Sequence, residues 1–415
     1  MNIYIETYGC TANKSDESTI LGILQKDKHK IVDKIDDADA LILLTCTVIG
    51  TTEQRMLSRL RVFKKAGKKI IVSGCMPKVQ ADLIKSIVPK SILLPPDEII
   101  FINQILKENE YVKIDKKTEK TTKYFRENSA PISIAKGCMF SCTYCITHFA
   151  RGDLKSFSQE EIISDVKQAL KQGCMEIFLT AQDTASYGFD SNDNLGTLLE
   201  NVCKTKGNYR IRVGMMNPYT AQKNIESIIN AYNHEKIYKF IHLPVQSGDN
   251  DILKQMNRKY SVTDFKKIVK AFRNKYENIT LSTDVIVGFP GESEEKFEKS
   301  IKLIKKIKPD ILNITRFSPR PLTKAKTMKD RIPTDALKQR SRRLSKIYTE
   351  ISKQINKNHV GKEYRVLVTK NENNEFIGRS ENYKPVKIKE KVKIGEIISV
   401  KIIDSSSIHL VGKLI

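Results

Sequence analysis

The sequence predicts an α/β protein in three parts: an N-terminal parallel-sheet domain, a central (βα)6-type partial barrel and a C-terminal small antiparallel β-barrel. Three observations lead there. Short apolar runs alternate with helical patterns over residues 1–108 and again over 130–320, as in sheets whose strands pair in parallel through helical crossovers. Beyond residue 360 the helical period stops, and short strand-like runs are broken by Gly and Asn. A polar stretch, 109–129, separates the first two parts, which places the domains at 1–108, 124–357 and 358–415.

In the first part, strands are expected at 3–5, 40–44 and 69–73. Met56, Leu60 and Phe63 share one helical face stopped by Gly67, and Val79, Leu83 and Ile87 share another. The stretch 109–129 reads as a solvated linker. Six further strands are expected at 132–135, 176–180, 210–215, 240–243, 282–287 and 311–314, the count of a barrel or partial barrel. The helix after the first of them is well marked. Ser158 and Glu161 form a capping box, Ile162, Val166 and Leu170 line one face, and Gly173 ends it. Residues 333–357 read as a basic helix. Strands at 364–368, 384–388, 397–402 and 407–410 then suggest a small antiparallel barrel, an architecture common in nucleic-acid binding.

Lys and Arg number 72 and Asp and Glu 48, a net of +24. Residues 320–415 hold 23 of the cations and 10 of the anions, a net of +13. More than half of the excess thus sits in less than a quarter of the chain, so a polyanion is the expected partner of the C-terminal part. The N-terminus runs straight into a strand, and no apolar run approaches the roughly 20 residues of a membrane span. A cytoplasmic protein with no membrane partner is expected. Its eight cysteines then point to metal or catalysis rather than disulfides.

Six of the eight fall into two sets. Cys138, Cys142 and Cys145 have the spacing C-x3-C-x2-C directly after a strand. Closely spaced thiolates suit zinc or an iron–sulfur cluster, but no fourth Cys or His completes a zinc site, since His148 has no partner. Three thiolates on a four-iron cluster leave one iron open to a small molecule. Cys10, Cys46 and Cys75 are far apart in sequence, yet each follows a strand. Strand ends of a parallel sheet share one edge, so the three can converge, with Gly9 and Gly74 allowing close backbone approach. Cys174 and Cys203 fit neither set and read as core residues.

These residues carry a resemblance. Residues 138–145 followed by Ala150, Arg151 and Gly152 resemble the radical S-adenosylmethionine superfamily, and the upstream cysteines narrow the likeness to the methylthiotransferases. Residues 176–188 (EIFLTAQDTASYG), 242–248 (HLPVQSG) and 283–292 (TDVIVGFPGE) agree, and the C-terminal barrel looks like the TRAM domain of that family. Residues 45–60 and 74–89 are most similar to the archaeal and eukaryotic branch acting on N6-threonylcarbamoyladenosine in tRNA. Other branches act on isopentenyladenosine in tRNA or on a ribosomal protein. Ala181 and Leu322 stand where that family often has glycine.

The resemblance implies two [4Fe-4S] clusters. The one on Cys138, Cys142 and Cys145 would bind S-adenosyl-L-methionine and cleave it to a 5′-deoxyadenosyl radical that attacks C2 of adenine. The one on Cys10, Cys46 and Cys75 would deliver sulfur, and a second S-adenosylmethionine the methyl group. Tyr144, Gln182, Arg212 and Gln246 are the expected cofactor contacts, and Arg342, Arg343 and the C-terminal lysines the expected phosphate contacts. The partners implied are tRNA, an electron donor and a sulfur source, the last two of unknown identity.

Overall fold

The computed structural model describes residues 1–48, 50–108, 122–373 and 375–415. Five short strands open the chain: β1 (Asn2–Thr7), β2 (Lys30–Val32), β3 (Ala40–Thr45), β4 (Lys69–Gly74) and β5 (Ile92–Leu94). All pair in parallel, in the order β2-β1-β3-β4-β5. The sequence of β3, ALILLT, is buried at every position because helices cover both faces of the sheet. Ile42 and Leu44 pack with Ile20 and Leu24 on one face; Leu41 and Leu43 pack with Met56, Leu60 and Phe63 on the other.

Two features of this sheet escape the apolar pattern. β2 and β5 have three residues each, too few to show a period. The helix Thr11–Lys26 buries Asn13, Ser15, Asp16, Ser18 and Thr19 beside Ile20, Leu21 and Leu24, so its inner face is half polar. The face of Val79, Leu83 and Ile87 is two helices rather than one, Met76–Val79 and Ala81–Ile87, interrupted at Gln80 with φ −145° and ψ 37°.

Of the expected linker, residues 109–121 lie outside the described residues. Residues 123–125 are not solvated. Phe125 is buried, and Lys123 Nζ lies 2.6 Å from Asp165 with both side chains largely buried. The amides of Lys123 and Phe125 donate to the side chains of Gln168 and Gln172, and that of Tyr124 to the Ser18 carbonyl. Polar character here means hydrogen bonds to two helices rather than to water.

By contacts the chain divides into two units. The first holds Met1–Gly173, Thr180–Gln182 and Ser318–Lys326; the second holds Cys174–Leu179, Asp183–Phe317 and Thr327–Ile415. Besides the five-stranded sheet, the first contains the strand Ser129–Ser133 and the helix Gln159–Lys171. The capping box is present: Glu161 N donates to Ser158 Oγ at 3.2 Å, and Ser158 N donates to Glu161 Oε2 at 3.1 Å.

In the second unit the strands Glu176–Thr180 and Arg210–Val213 pair in parallel, as do Phe240–His242, Thr280–Val287 and Ile311–Arg316. Parallel bridges at Ile211–Ile237 and Met215–His242 join the two groups into one arc. The basic helix Thr334–Lys357 leads to a closed barrel of five strands around Val366, Val368, Val386, Ile388, Val400, Ile402 and Leu410. The barrel is antiparallel at four seams and parallel at the fifth, where Val386 faces Leu410. Its fifth strand, Glu375–Ser380, escaped the sequence reading, because polar residues interrupt its short apolar run. Among the described residues no helix is long and apolar enough to cross a membrane.

The small barrel is fastened to the arc within this unit. Tyr383, at φ +64°, lays its ring 4.9 Å from that of Tyr238 and 4.8 Å from that of Phe240. Lys384 Nζ is buried 2.6 Å from Asp310 Oδ1 and donates to Asn356 Oδ1 at 2.9 Å. Removing one member of such a pair strands the other charge. Asp310→Ala is therefore expected to cost about 3–5 kcal/mol in urea unfolding, and Asp310→Ala with Lys384→Met to recover most of it. Equal losses for the single and double variants would contradict this role.

Candidate metal centre

Cys46 and Cys75 stand immediately beyond β3 and β4, and Cys10 three residues beyond β1; the three strands are neighbours in the sheet. The register pairs Thr7 with Leu44 and Thr45 with Gly74, so Cys46 and Cys75 each lie one residue past a paired position on the same edge. Cys10 also caps the helix Thr11–Lys26 and is exposed, whereas Cys46 and Cys75 are buried. Two glycines make the convergence possible. A Cβ on Gly9, at φ +105°, would lie 2.7 Å from the Cys46 Cβ and 3.2 Å from its Sγ. One on Gly74, at φ +80°, would lie 2.3 Å from the Thr45 carbonyl oxygen.

Burial pushes the thiols of Cys46 and Cys75 up, that of Cys75 to about 11, and the Cys10 sulfur nearby pushes the same way. The positive charge of Arg151 opposes this. Its side chain is 3% exposed, with Nη1 2.7 Å from Asp16 Oδ2 and Nη2 donating to Asn13 Oδ1 at 2.6 Å. Asn13 in turn donates to the carbonyls of Tyr8 and Thr45, the two loops that carry Cys10 and Cys46. Asn13, Asp16 and this reach of Arg151 are functional candidates that the sequence reading missed. No apolar period marks the start of the helix that carries Asn13 and Asp16, so their only signal in the sequence is their place three and six residues after Cys10.

The second set is held by its own closure. Gly137, at φ +70°, precedes Cys138, and a Cβ there would meet the Asp153 carbonyl oxygen at 1.8 Å. Cys138 N donates to the Gly152 carbonyl and Cys145 N to that of Cys142, each at 3.0 Å. His148 turns Nδ1 to the Cys138 carbonyl at 3.1 Å, which makes it a brace of the loop. Cys138, Cys142, Cys145 and Tyr144 are all half-buried. The helix Thr147–Arg151, next in the chain, packs against Met76–Val79, the helix that begins right after Cys75. The unit therefore brings the surroundings of both cysteine sets together.

A third strand of chain joins them. Arg320, buried, pairs with Glu53 and donates to Thr47 Oγ1 at 3.1 Å, one residue past Cys46, while Ala325 N donates to the Thr143 carbonyl at 2.8 Å inside the second loop. All eight cysteines are outside disulfides, and Cys174 and Cys203 are buried core residues. Among the described residues no three His, Cys, Asp or Glu side chains are placed to hold a single metal ion. A cubane cluster takes each thiolate on a different iron, so its three ligands need not converge on one metal ion, and a trio of thiols suits that donor chemistry.

The other expected contacts are spread. Gln182, in the first unit, carries a buried Oε1 that no partner satisfies. Gln246, in the second, is half-buried at φ +67°. Arg212 stacks its guanidinium on Phe178, Phe240 and Tyr383 at 5.8, 5.0 and 5.4 Å, so it is engaged with the small barrel. Arg343 is paired with Glu294 and Glu298, whereas Arg342 is exposed.

Comparison with known proteins fits this geometry. Residues 132–304 match the Radical SAM superfamily, residues 2–94 the Uncharacterized protein family UPF0004 and residues 357–415 the TRAM domain. Fold and cysteine loop thus define a radical SAM protein. The chain is 40% identical to the "Probable threonylcarbamoyladenosine tRNA methylthiotransferase" of Pyrococcus horikoshii, with 100% of both chains covered. It is 32% identical to the "Threonylcarbamoyladenosine tRNA methylthiotransferase" of Homo sapiens, over 99% of this chain and 73% of that one. The chain belongs to the family of threonylcarbamoyladenosine tRNA methylthiotransferases. Among solved structures, the radical S-adenosylmethionine methyltransferase TsrM from Kitasatospora setae, with cobalamin and a [4Fe-4S] cluster bound, superposes with a TM-score of 0.59 at 10% identity, covering 78% of this chain and 77% of that one. That likeness is one of fold.

The glycine geometry yields a prediction that needs no metal. Gly9→Ala must separate the Cys10 and Cys46 loops at a cost of about 1–3 kcal/mol. Gly67, at φ +66°, has open space around it, and Gly67→Ala is the control for backbone strain alone. Alkylation of Cys46 in metal-free protein should speed up in Gly9→Ala and not in Gly67→Ala. Equal rates in both variants would remove the argument for tight convergence.

Proposed function

We propose that this chain converts N6-threonylcarbamoyladenosine in tRNA to its 2-methylthio derivative by radical S-adenosylmethionine chemistry. One observation carries the reading: two sets of three cysteines within one unit, the first gathered at the ends of three adjacent parallel strands. In this reading Cys138, Cys142 and Cys145 hold one [4Fe-4S] cluster and Cys10, Cys46 and Cys75 a second. When bound, the first cluster supplies the electron that cleaves S-adenosylmethionine, a radical route suited to a C–H bond no side-chain base could deprotonate.

The chain's own residues position and shield. The closure of residues 137–138 onto 152–153 fixes the three-cysteine loop before any ligand arrives. Tyr144 and Gln182 are the cofactor contacts proposed in the first unit; the unsatisfied amide oxygen of Gln182 is a ready acceptor. Gln246 is proposed in the second. Arg212 is proposed there too: its guanidinium lies over three rings, one of them from the small barrel, and its buried Nε has no hydrogen-bond partner. Domains at 1–108, 124–357 and 358–415 are kept as the functional division, with a cytoplasmic location, an electron donor and a sulfur source as its requirements.

For tRNA binding, the cations of the small barrel matter most where they are not already paired. Lys387 is paired with Glu375, but Lys389, Lys391 and Lys393 form an exposed run. Changing all three to Gln should weaken tRNA binding and lower its salt slope by about 0.7–0.9 per lost phosphate contact. An unchanged slope would move the RNA surface elsewhere. Substitution is the sounder test than deletion of 358–415, since deletion would expose the faces that Tyr383 and Lys384 cover.

The substrate is tested with tRNA bearing threonylcarbamoyladenosine, tRNA bearing isopentenyladenosine, and unmodified tRNA. Only the first should gain a methylthio group by nucleoside mass spectrometry; product on the isopentenyl substrate alone would overturn the assignment. Cys138→Ala should abolish cleavage of S-adenosylmethionine, and Cys46→Ala should keep cleavage but lose methylthio product. Normal product from Cys46→Ala would remove the second cluster from the reaction.

A further inference from the structure

Arg151 belongs by sequence to the second cysteine loop, six residues past Cys145. In space its head lies with the first set. The guanidinium is buried, donates to Asn13 Oδ1 and is ion-paired with Asp16, which is 5% exposed, and its charge acts on the thiols of Cys10 and Cys75. The Asn13 amide ties the same group to the backbone just before Cys10 and Cys46. A fold that needed only to neutralise Arg151 had Asp16 for the purpose. The additional bond to Asn13, which grips the backbone before Cys10 and Cys46, sets the positive charge beside the first cysteine set.

A cluster gains one negative charge on reduction, and hydrogen bonds and charge at its ligand sulfurs set its potential. In a buried site such a charge is weakly screened. We propose that Arg151 is a positioning residue for the Cys10, Cys46 and Cys75 site: through Asn13 it holds the loops before Cys10 and Cys46, and it raises the reduction potential of the cluster there, while Asp16 is the counter-charge that limits the rise. The inference rests on the proposed second cluster. It also makes the two sites physically dependent, because the helix that ends the Cys138–Cys145 loop delivers the residue that tunes the other.

Opposite signs distinguish this from a merely structural role. Arg151→Gln removes the positive charge and keeps an amide donor, so it should favour the oxidised cluster. Asp16→Asn removes the counter-charge and should favour the reduced one. Arg151→Lys keeps the charge and should retain most of the native potential. The measurement is an EPR-monitored redox titration of full-length protein carrying Cys138→Ala, Cys142→Ala and Cys145→Ala, so that only the remaining site reports. Arg151→Gln should lower the reduced-to-oxidised ratio at fixed potential about tenfold, or about 59 mV for one electron. Asp16→Asn should shift it the other way. Unshifted or same-direction midpoints in the two variants, with iron retained, would overturn the inference and leave the cluster assignment standing. If Arg151→Gln loses its iron, Asp16→Asn alone decides: a midpoint that does not rise overturns it. A parental variant that binds no cluster would remove the assignment and the inference together.

Discussion

Parallel pairing in register is the constraint on which the first unit depends. Because β1, β3 and β4 run the same way and are matched residue for residue, all three end at one edge, and the loop after each strand is delivered to the same place. Antiparallel pairing would send alternate loops to opposite ends. The register is held by burial: a one-residue slip would turn Ile42 and Leu44 toward the face that Leu41 and Leu43 fill, and each face is packed by its own helices. Three cysteines separated by about thirty residues each can therefore form one site.

The second consequence is that this site is not independent of its neighbours. Thr47, next to Cys46, is bonded by Arg320, and Asn13, which holds the backbone before Cys10 and Cys46, is bonded by Arg151. Both arginines come from distant segments and both are buried against a carboxylate, Glu53 and Asp16. Breaking such a pair is costly because it leaves a charge without a partner. Two arginines thus clamp the edge of the sheet from outside it. The segment Ser318–Lys326, which also bonds the Cys142–Cys145 loop at Thr143, ties the same edge to the second cysteine set.

Much of this was legible in the sequence, and the failures have physical reasons. The long apolar strands, the capping box at Ser158 and Glu161, and the placement of six cysteines after strands all came from period and spacing. β2, β5 and Glu375–Ser380 were missed because a short or polar-interrupted strand carries no period. The Thr11–Lys26 helix was missed because its inner face serves the site as well as the core, so Asn13 and Asp16 occupy positions where apolar residues would have announced a helix. For Arg212 the strand was legible and the surroundings were not: its guanidinium lies over aromatic rings, one of them from a domain some 170 residues later in the chain, while its Nε is buried without a hydrogen-bond partner. Sequence spacing does not show a partner that distant.

If each set of three cysteines holds its own cluster, the iron and sulfide content of anaerobically reconstituted protein will show it. The native protein should carry about eight iron atoms per chain. About four should remain when Cys10, Cys46 and Cys75 are changed to Ala, and about four when Cys138, Cys142 and Cys145 are changed instead. About four in the native protein, unaltered by loss of the first set, would contradict it.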